Sequence, residues 1–248
     1  MYKKACEIIL SSTRCIAFTG AGISVESGIP PFRGEGGLWN KYDPATFDIQ
    51  FFNDHTKESW DTIKIIFYDL FGKVKPNKAH FALADLEKMG LVKGVITQNV
   101  DNLHFDAGSN VVHEFHGNLK KVICLKCLKH ERIEEIDLNI PIPVCPECKG
   151  VLKPDVIFFG EPIPLEPSEK SFAEAEKADC FLLIGTTGEV APANMIPRIA
   201  KENKAAIIEI NPAKSLYTDS ITDLFIKEKA GKAMGKLLKE IQNHKKKE

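Results

Sequence analysis

Residues 18–33, FTGAGISVESGIPPFR, carry the clearest indication of the fold. A short apolar run, residues 15–18, leads into it and predicts the end of a buried strand. Gly20-Ala21-Gly22 follows at once, where glycines permit positive φ and let a ligand lie against bare backbone. Residues 24–27 then predict a helix start, whose free N–H groups and positive dipole end favour a phosphate. Strand, glycine turn and helix start together indicate a dinucleotide-binding arrangement.

The glycine spacing departs from the usual dinucleotide fingerprint. Five residues separate Gly22 from the third glycine, Gly28, where the fingerprint has two. A plain tight turn is therefore an alternative interpretation of the glycine pair alone. The next segment, IPPFRG at residues 29–34, is more specific because it is stiff and carries one aromatic ring, Phe32, and one cation, Arg33. Such a segment suits a flap over a bound anionic cofactor.

Composition and charge narrow the class of protein. The chain has 248 residues, 44% of them hydrophobic and 27% charged, which is ordinary globular composition with ample length for a core. The net charge of −1 provides no broad basic field for nucleic acid or anionic lipid. A basic run at residues 244–247 is better explained as a solvated tail than as a binding patch. Neither a membrane span nor a signal peptide is indicated, so we expect a cytoplasmic protein.

Apolar and amphipathic segments alternate along the chain. Strands are predicted over residues 15–19, 94–97, 111–115, 156–159, 180–184, 205–210 and 224–226. Helices are predicted over 2–12, 78–89, 168–178, 192–203 and 229–243, with two more in 47–71 that break near residue 53. This alternation predicts an α/β fold, a Rossmann-like parallel sheet with helices on both faces. Ligands of such sheets bind beyond the carboxyl ends of the strands, so the loops there should converge on one rim.

Two C-x-x-C pairs predict a second, smaller unit. Cys124 and Cys127 are separated from Cys145 and Cys148 by seventeen residues, which is typical of a zinc ribbon with a closed, structural metal site. A redox role for one pair is the rival hypothesis, although it would not require the second pair. We expect a large nucleotide-binding domain over 1–34, 72–118 and 154–248. The small domain would take a helical part from 35–71 and the zinc-ribbon part from 119–153.

Polar residues at the predicted strand ends are the candidates for chemistry. His116 ends a strand, is followed by Gly117, and has a side-chain pKa that suits a general base near neutrality. Asn99 and Asp101 follow a neighbouring strand. A helix cap would explain Asn99 alone, but two polar residues together favour function. The other histidines with a readable position, His80, His104 and His113, are expected to pack or to be structural.

Two further strand ends suit a cofactor. Thr186 and Thr187 stand between Gly185 and Gly188, which suits a phosphate or a ribose, although a helix cap is possible there too. Asn211 precedes a proline and could mark only a turn, but its strand-end position suggests a ribose contact.

Taken together and in order, six motifs resemble those of the sirtuin family of NAD-dependent protein lysine deacylases. The motifs are GAGISVESGIPPFRG, TQNVDNLH, FHGN, the two C-x-x-C pairs, VIFFGE and GTT, and the resemblance covers about residues 5–240. It implies NAD as co-substrate, a structural zinc, and an acyl-lysine peptide that enters the cleft opposite NAD. Membrane is not expected as a partner, and nucleic acid is disfavoured.

The resemblance also assigns residues. His116, Asn99 and Asp101 would be catalytic, and zinc would be held by Cys124, Cys127, Cys145 and Cys148. The cofactor contacts would be Gly20, Ala21, Gly22, Val25, Phe32, Arg33, Gln98, Asn99, Val100, Asp101, His116, Gly185, Thr186, Thr187, Asn211 and Ala230. The peptide would add as a strand against Ile157, Phe159, Gly160, Glu161 and Val190.

In the family chemistry that the resemblance implies, the acyl oxygen attacks C1′ of the nicotinamide ribose and nicotinamide leaves. His116 would then take a proton from the ribose hydroxyls, and Asp101 would hold the nicotinamide carboxamide. Asn99 would bind the ribose and a water, and Phe32 would shield the intermediate.

The chain departs from the family pattern at three places. Pro31 stands where the family usually has Asp, and Gly188-Glu189 replaces the common apolar residues after GTT. The Tyr-x-x-Arg pair of the branch that removes succinyl and malonyl groups is missing, since no arginine occurs between residues 34 and 131. A strong desuccinylase is therefore disfavoured.

The sequence thus predicts an NAD-dependent protein lysine deacetylase that also accepts longer neutral acyl chains. Mono-ADP-ribosyl transfer from the same NAD site is one alternative. A non-catalytic zinc-ribbon module that binds nucleic acid is another, kept open by lysines in and beside residues 124–149 and opposed by the net charge.

Overall fold

The computed structural model describes residues 1–34 and 36–246, so Glu35 and the Lys247 of the basic run lie outside the described residues. The α-helices are α1 (Tyr2–Ser11), α2 (Ile49–Asp54), α3 (Thr56–Ile63), α4 (Lys78–Lys88), α5 (Leu103–Asp106), α6 (Leu165–Lys177), α7 (Ile196–Glu202) and α8 (Ala230–Lys245). A π-helix over Lys64–Leu70 continues α3. None of the helices in the described part of the chain combines the length and the apolar composition that a membrane span requires.

Nine strands form two sheets in the described residues. They are β1 (Cys15–Thr19), β2 (Val92–Thr97), β3 (Val112–Glu114), β4 (Gly117–Cys124), β5 (His130–Arg132), β6 (Leu152–Val156), β7 (Cys180–Ile184), β8 (Ala206–Asn211) and β9 (Leu224–Lys227). The large sheet has the order β3-β2-β1-β7-β8-β9 and is parallel throughout. The small sheet, β5-β4-β6, is antiparallel. The predicted Rossmann-like α/β fold is confirmed.

Side chains of the large sheet alternate between two helical layers. Ala17 and Leu182 pack toward α1, α4 and α8, whereas Phe18 and Leu183 pack toward α6 and α7. Because both faces are covered, β1 and β7 are buried along their whole length. This explains why these strands read as continuous apolar runs rather than as alternating ones.

A separate core joins the helical segment to the small sheet. Phe52 and Trp60 from the helices pack with Val122 and Leu152 of the ribbon, and all four are fully buried. The indole N–H of Trp60 donates to the carbonyl oxygen of Leu152 over 2.9 Å. This shared core supports the predicted pairing of residues 35–71 with 119–153 in one small domain, which stays a prediction.

Two predictions near the cleft are wrong. Residues 24–27 do not start an α-helix: Val25–Ser27 is a single 3₁₀ turn that ends at Gly28, where φ is +100°. The reversal at Gly28 and the prolines at 30 and 31 leave no room for a longer helix. The apolar run 156–159 is not a strand of the parallel sheet either. β6 ends at Val156 in the small sheet, and Phe159 forms only one bridge, to Asp48.

Other boundaries shift by a few residues. α2 and α3 break at His55, close to the predicted break. α6 starts at Leu165, three residues before the prediction, and α7 is preceded by a 3₁₀ turn over Ala193–Met195. The ribbon strands β4, β5 and β6 were not predicted as individual strands, because lysines and prolines interrupt the apolar alternation there.

Candidate functional site

One cavity of about 910 Å³ opens at the carboxyl ends of the parallel strands. Its wall takes in the glycine turn after β1, the loop after β2, and the loops after β7 and β8. The segment that follows β6 and the first residue of α8 complete it. A convergent cleft at this edge is where a parallel α/β sheet binds its ligand.

Two glycine turns meet backbone to backbone at the base of the cavity. The N–H of Gly22 donates to the carbonyl oxygen of Gly185 over 2.8 Å. A Cβ on Gly22 would lie 2.6 Å from the Cα of Gly185, whose own φ is +64°. Among the described residues, nothing accepts a hydrogen bond from the N–H of Ala21, which lines the cavity. The turn therefore offers bare backbone and a free donor to an anion.

The loop after β2 is fixed by a chain of hydrogen bonds. Asn99 Nδ2 donates to the Gly20 carbonyl oxygen and to Ser24 Oγ, each over 3.2 Å. Ser24 Oγ donates in turn to Asp101 Oδ2 over 2.7 Å, and the Leu103 N–H donates to Asp101 Oδ1 over 3.0 Å. Burial raises the pKa of Asp101, and these two hydrogen bonds oppose that rise.

The predicted packing of His80 and His104 is confirmed, and it lies directly behind the site. His104 Nε2 is 2.9 Å from Thr19 Oγ1, and His80 Nε2 is 3.5 Å from Ser24 Oγ. Their ring centroids are 4.9 Å apart. Burial lowers the pKa of His80 to about 4 and that of His104 well below its ordinary value. Both rings are therefore neutral near pH 7 and support the wall without adding charge.

His116 lines the cavity, and one of its two ring nitrogens is hydrogen-bonded to the backbone. Its Nδ1 is 3.1 Å from the carbonyl oxygen of Gln98, which can only accept, so the neutral ring carries its proton on Nδ1. Nε2 is then an acceptor, as a general base requires. Burial lowers the pKa of His116, partly offset by the bond to Gln98.

The predicted flap forms an aromatic and ionic cover. The Phe32 ring lies 5.1 Å from that of Trp39 and 6.4 Å from that of Phe71, centroid to centroid. Arg33 Nε lies 3.7 Å from Glu189 Oε2, and both side chains are about half exposed. Glu189, one of the departures from the family pattern, therefore contacts the flap.

The other unusual residue of that loop has a packing explanation. Gly188 has a φ of +79°, and a Cβ there would lie 2.9 Å from the ring of Tyr217. Tyr217 is fully buried, so the ring cannot move aside and a larger residue does not fit.

Hydrogen bonds connect three polar residues that line the cavity, Thr186, Gln98 and Asn211. Gln98 Nε2 donates to Thr186 Oγ1 over 3.0 Å, and Asn211 Nδ2 donates to the Thr186 carbonyl oxygen over 2.8 Å. Nearby, the Gly231 N–H at the start of α8 donates to Glu26 Oε2 over 2.6 Å. Glu26 was not predicted, because a carboxylate at a 3₁₀ turn has no sequence signal that points to a helix two hundred residues away.

The structure brings almost all predicted site residues to this one cavity. Every predicted cofactor and peptide residue lines it except Asp101, which is connected through Ser24 to the lining residue Asn99. Ser24 was not predicted as a site residue, although it lies inside residues 18–33. The aromatic lining by Trp39, Phe47 and Phe67 was not predicted either, since aromatics at helical spacing look like ordinary core.

The four paired cysteines form a closed metal site. Their sulfurs all lie within 4.8 Å of one another, with Cys124 Sγ 3.4 Å from Cys148 Sγ and Cys127 Sγ 3.9 Å from Cys145 Sγ. Tetrahedral zinc with Zn–S bonds of about 2.3 Å requires sulfur separations of about 3.8 Å. The donor set fits zinc and leaves no open position, so the metal is structural.

The backbone around the cysteines repeats itself. Leu128 and Lys149, each directly after the second cysteine of a pair, have φ values of 60° and 59°. The Leu128 N–H donates to the Cys124 carbonyl oxygen, and the Lys149 N–H donates to that of Cys145. Two equivalent turns of this kind present all four thiolates to one point, which a redox pair alone would not need.

The lysines of the ribbon do not form a one-signed surface. Lys129 Nζ contacts Glu147 and lies 3.3 Å from Glu131 Oε1, and Lys120 Nζ lies 2.9 Å from Asp106 Oδ1. These pairs weaken the case for a nucleic-acid module, which needs unpaired cations aimed at phosphates.

A parallel α/β sheet, a glycine-turn cleft and a tetrathiolate ribbon beside it define a nucleotide-binding enzyme with a structural zinc module. Comparison with known proteins gives the family. The profile of the Sir2 family matches residues 20–192. The chain belongs to the Sir2 family.

Curated relatives match over nearly the whole chain. An NAD-dependent protein deacylase of Pyrococcus abyssi (strain GE5 / Orsay) is 44% identical over 98% of this chain and 98% of its own length. An NAD-dependent protein deacetylase of Sulfolobus acidocaldarius is 45% identical over 97% of this chain and 95% of its own.

Solved structures also match over nearly the whole chain. A Sir2 homologue mutant in complex with ADP-ribose superposes with a TM-score of 0.95 at 38% identity, covering 100% of this chain and 99% of that one. A Sir2 homologue in complex with NAD gives 0.91 at 38% identity, covering 98% and 94%. Sir2 bound to an acetylated peptide gives 0.90 at 31% identity, covering 97% and 98%.

Proposed function

We propose that this chain is an NAD-dependent protein lysine deacylase that transfers an acyl group from lysine to ADP-ribose and releases nicotinamide. The observation that carries the proposal is the position of His116. Its acceptor nitrogen serves a cavity that the glycine turn lines on one side and the segment after β6 lines on the other. The same cavity is therefore lined by the candidate base, by the turn proposed to bind the nucleotide and by the segment proposed to bind the peptide.

NAD, when bound, supplies the ribose carbon that accepts the acyl oxygen and the nicotinamide that leaves. Ala21 binds a phosphate through its backbone N–H, and the neighbouring glycines let the phosphate approach the backbone closely. Asn99 orients the ribose. Asp101 holds the nicotinamide end through the loop that it shares with Val100. His116 Nε2 takes the proton from a ribose hydroxyl, and its Nδ1–H stays on the Gln98 carbonyl oxygen throughout.

The flap excludes water during the reaction. The Phe32 ring packs against those of Trp39 and Phe71, so closing it over the ribose removes solvent from the reacting carbon. Arg33 lines the cavity beside it and serves the phosphates.

The lining of the cavity favours a substrate whose acyl chain carries no charge. Trp39, Phe47 and Phe67 line the cavity next to the flap and make an apolar wall. A dicarboxylic acyl group such as succinyl would bury a carboxylate against this wall without the arginine of the Tyr-x-x-Arg pair, at a cost of several kcal/mol. We therefore expect acetyl and longer aliphatic acyl groups as substrates.

The experiment that tests the proposal follows labelled NAD. With adenine-labelled NAD and matched acetyl, butyryl, myristoyl and succinyl peptides, the label should appear in free O-acyl-ADP-ribose, and the succinyl peptide should be the poorest substrate. Label retained on an acceptor protein, with no O-acyl-ADP-ribose, would instead identify a mono-ADP-ribosyltransferase. Succinyl as the best substrate would overturn the account of the acyl wall.

A further inference from the structure

Lys153, on β6, has a charged side chain that is only 3% exposed. Its Nζ donates to the Val156 carbonyl oxygen over 2.6 Å and to that of Pro154 over 3.1 Å. It lies 2.9 Å from Glu161 Oε2 and 4.3 Å from the centroid of the Phe158 ring. The ammonium thus has three oxygen partners and one aromatic face, a complete set for a buried cation.

Glu161, the carboxylate that pairs with Lys153, is also bonded to the backbone of Phe158. The same Oε2 accepts from the Phe158 N–H over 2.7 Å, and the Glu161 N–H donates to the Phe158 carbonyl oxygen over 3.0 Å. Residues 156–161 are therefore wrapped around one ammonium, which holds both the first carbonyl of the segment and its last carboxylate.

The wrapped segment is tied to the two parts of the cleft that flank it. The Ile157 N–H donates to the His116 carbonyl oxygen over 2.9 Å. On the next residue but one, the Phe159 N–H donates to the Phe47 carbonyl oxygen over 2.8 Å, and the Phe159 carbonyl oxygen accepts from Ile49 over 3.0 Å. The shape that Lys153 fixes is thus the shape in which the segment contacts His116.

Two backbone groups of this segment are left for a ligand. In the part of the chain that the structure describes, no hydrogen-bond partner lies at the Ile157 carbonyl oxygen or at the Gly160 N–H. Both residues line the cavity. A backbone acceptor and a backbone donor that both face the cavity are what an added peptide strand pairs with.

Burying this ion pair is a poor way to gain stability. Two desolvated charges cost several kcal/mol, and an apolar pair of similar volume is often as stable or more so. A buried pair instead specifies a conformation, because its partners must keep their geometry. An apolar side chain at position 153 would fill the same space but leave the Val156 carbonyl and the Glu161 carboxylate unfixed.

We propose that Lys153 is a positioning residue for the peptide substrate: its ammonium holds residues 156–161 in the conformation that presents the Ile157 carbonyl oxygen and the Gly160 N–H to the acyl-lysine peptide. This inference rests on the proposed deacylase function. Lys153 does not touch the reacting atoms, so its effect belongs to peptide binding and not to NAD binding.

The test is Lys153→Met, which keeps an unbranched chain of similar length. Losing hydrogen bonds from a charged donor is worth about 1.5–3 kcal/mol, so KM for an acetyl-lysine peptide should rise roughly tenfold to a hundredfold. KM for NAD should stay within about twofold of the wild-type value, because the glycine turn is untouched. Peptide affinity measured by fluorescence anisotropy without NAD should fall by the same factor as KM rises.

Two further variants keep the test decisive. Ile241→Ala truncates a fully buried side chain of α8, far along the chain from the segment, and should lower the melting temperature without a selective change in peptide KM. Glu161→Gln keeps the shape but removes the charge that Lys153 pairs with, and should raise peptide KM in the same direction. The double variant should be less than additive, since both changes release the same segment.

Failure of the Lys153 proposal can be told apart from failure of the proposed deacylase function. Wild-type turnover of NAD with the peptide establishes the deacylase whatever the variants do. An unchanged peptide KM in Lys153→Met, or an equal rise in the KM values for peptide and NAD, would overturn the positioning role. If Lys153→Met does not fold, an unchanged peptide affinity in Glu161→Gln would overturn it instead.

Discussion

The backbone N–H of Ile157 donates to the carbonyl oxygen of His116 over 2.9 Å, so the candidate base and the peptide-binding segment share a hydrogen bond. The strand pairing continues directly into it, since Gly117 is opposite Val156 in the small sheet. A Cβ on Gly117 would lie 2.1 Å from the Asp155 carbonyl oxygen, which explains the glycine after the histidine. The backbone of His116 is therefore held in place by β4 and β6, the paired strands of the small sheet.

His116→Ala should remove deacylation and leave the fold intact. A general base contributes roughly 10²–10⁴-fold to the rate, so kcat should fall by about that factor while the melting temperature changes little. His55→Ala, an exposed histidine between α2 and α3, is the control and should keep wild-type turnover. Near-normal kcat in His116→Ala would remove this residue from the base role.

The acid limb of the pH profile should reflect the lowered pKa of His116. The ring must be neutral to accept a proton, and burial lowers its pKa below the ordinary value near 6.5. Activity should therefore persist on acidification past pH 6.5 and decline only at lower pH. The measurement is kcat/KM for the peptide against pH, and a decline centred above pH 7 would contradict the assignment.

Gly22→Ala should abolish NAD binding and destabilise the fold. The new Cβ would meet the Gly185 backbone at 2.6 Å, and neither turn can move without opening the cradle. Gly235→Ala in α8 is the matched control, because nothing lies within 4 Å of its Cβ position. That change should stabilise the helix by about 0.5–1 kcal/mol. Calorimetric NAD affinity and melting temperature test both variants, and retained NAD affinity in Gly22→Ala would refute the cradle.

Glu114→Gln should stabilise the protein more at pH 8 than at pH 5. Burial raises the pKa of Glu114 to about 7, so the folded chain pays to ionise it at pH 8, whereas at pH 5 the folded form is mostly protonated. The Asn118 amide that donates to Glu114 can donate to glutamine as well. The expected gain at pH 8 is about 1–3 kcal/mol by denaturant unfolding. An equal gain at both pH values would contradict a raised pKa.

Zinc removal should unfold the ribbon and disable the cleft. The purified chain should contain one zinc per molecule, and Cys145→Ser should lose both the metal and several kcal/mol of stability. Turnover should fall with it, since β4 begins directly after His116 and ends at Cys124. Metal analysis by mass spectrometry measures the content, and a variant that lost zinc but kept its melting temperature would contradict a structural role.

Much of the fold followed from the sequence because the signals were local. Buried parallel strands are continuous apolar runs, and the cysteine spacing fixes a tetrathiolate site almost alone. The convergence of strand-end loops also followed from one rule of parallel sheets. What failed depended on long-range contacts. The segment after Val156 looked like a strand, but its shape is set by the buried Lys153–Glu161 pair, whose partners no periodicity reveals.

The site was predicted less completely for the same reason. Nothing in the sequence shows that Ser24, in a predicted helix start, donates to Asp101 over 2.7 Å. Nothing in the sequence shows that Glu26 accepts from the Gly231 N–H at the start of α8. Both residues act through partners more than seventy positions away.

In the proposed reaction, one cleft consumes NAD to remove an acyl group from lysine. The most direct measurement incubates the protein with NAD and an acetyl-lysine peptide and quantifies three products by mass spectrometry. We predict nicotinamide, deacetylated peptide and O-acetyl-ADP-ribose in equal amounts. Nicotinamide release without deacetylated peptide, or deacetylation that proceeds equally well without NAD, would contradict the account.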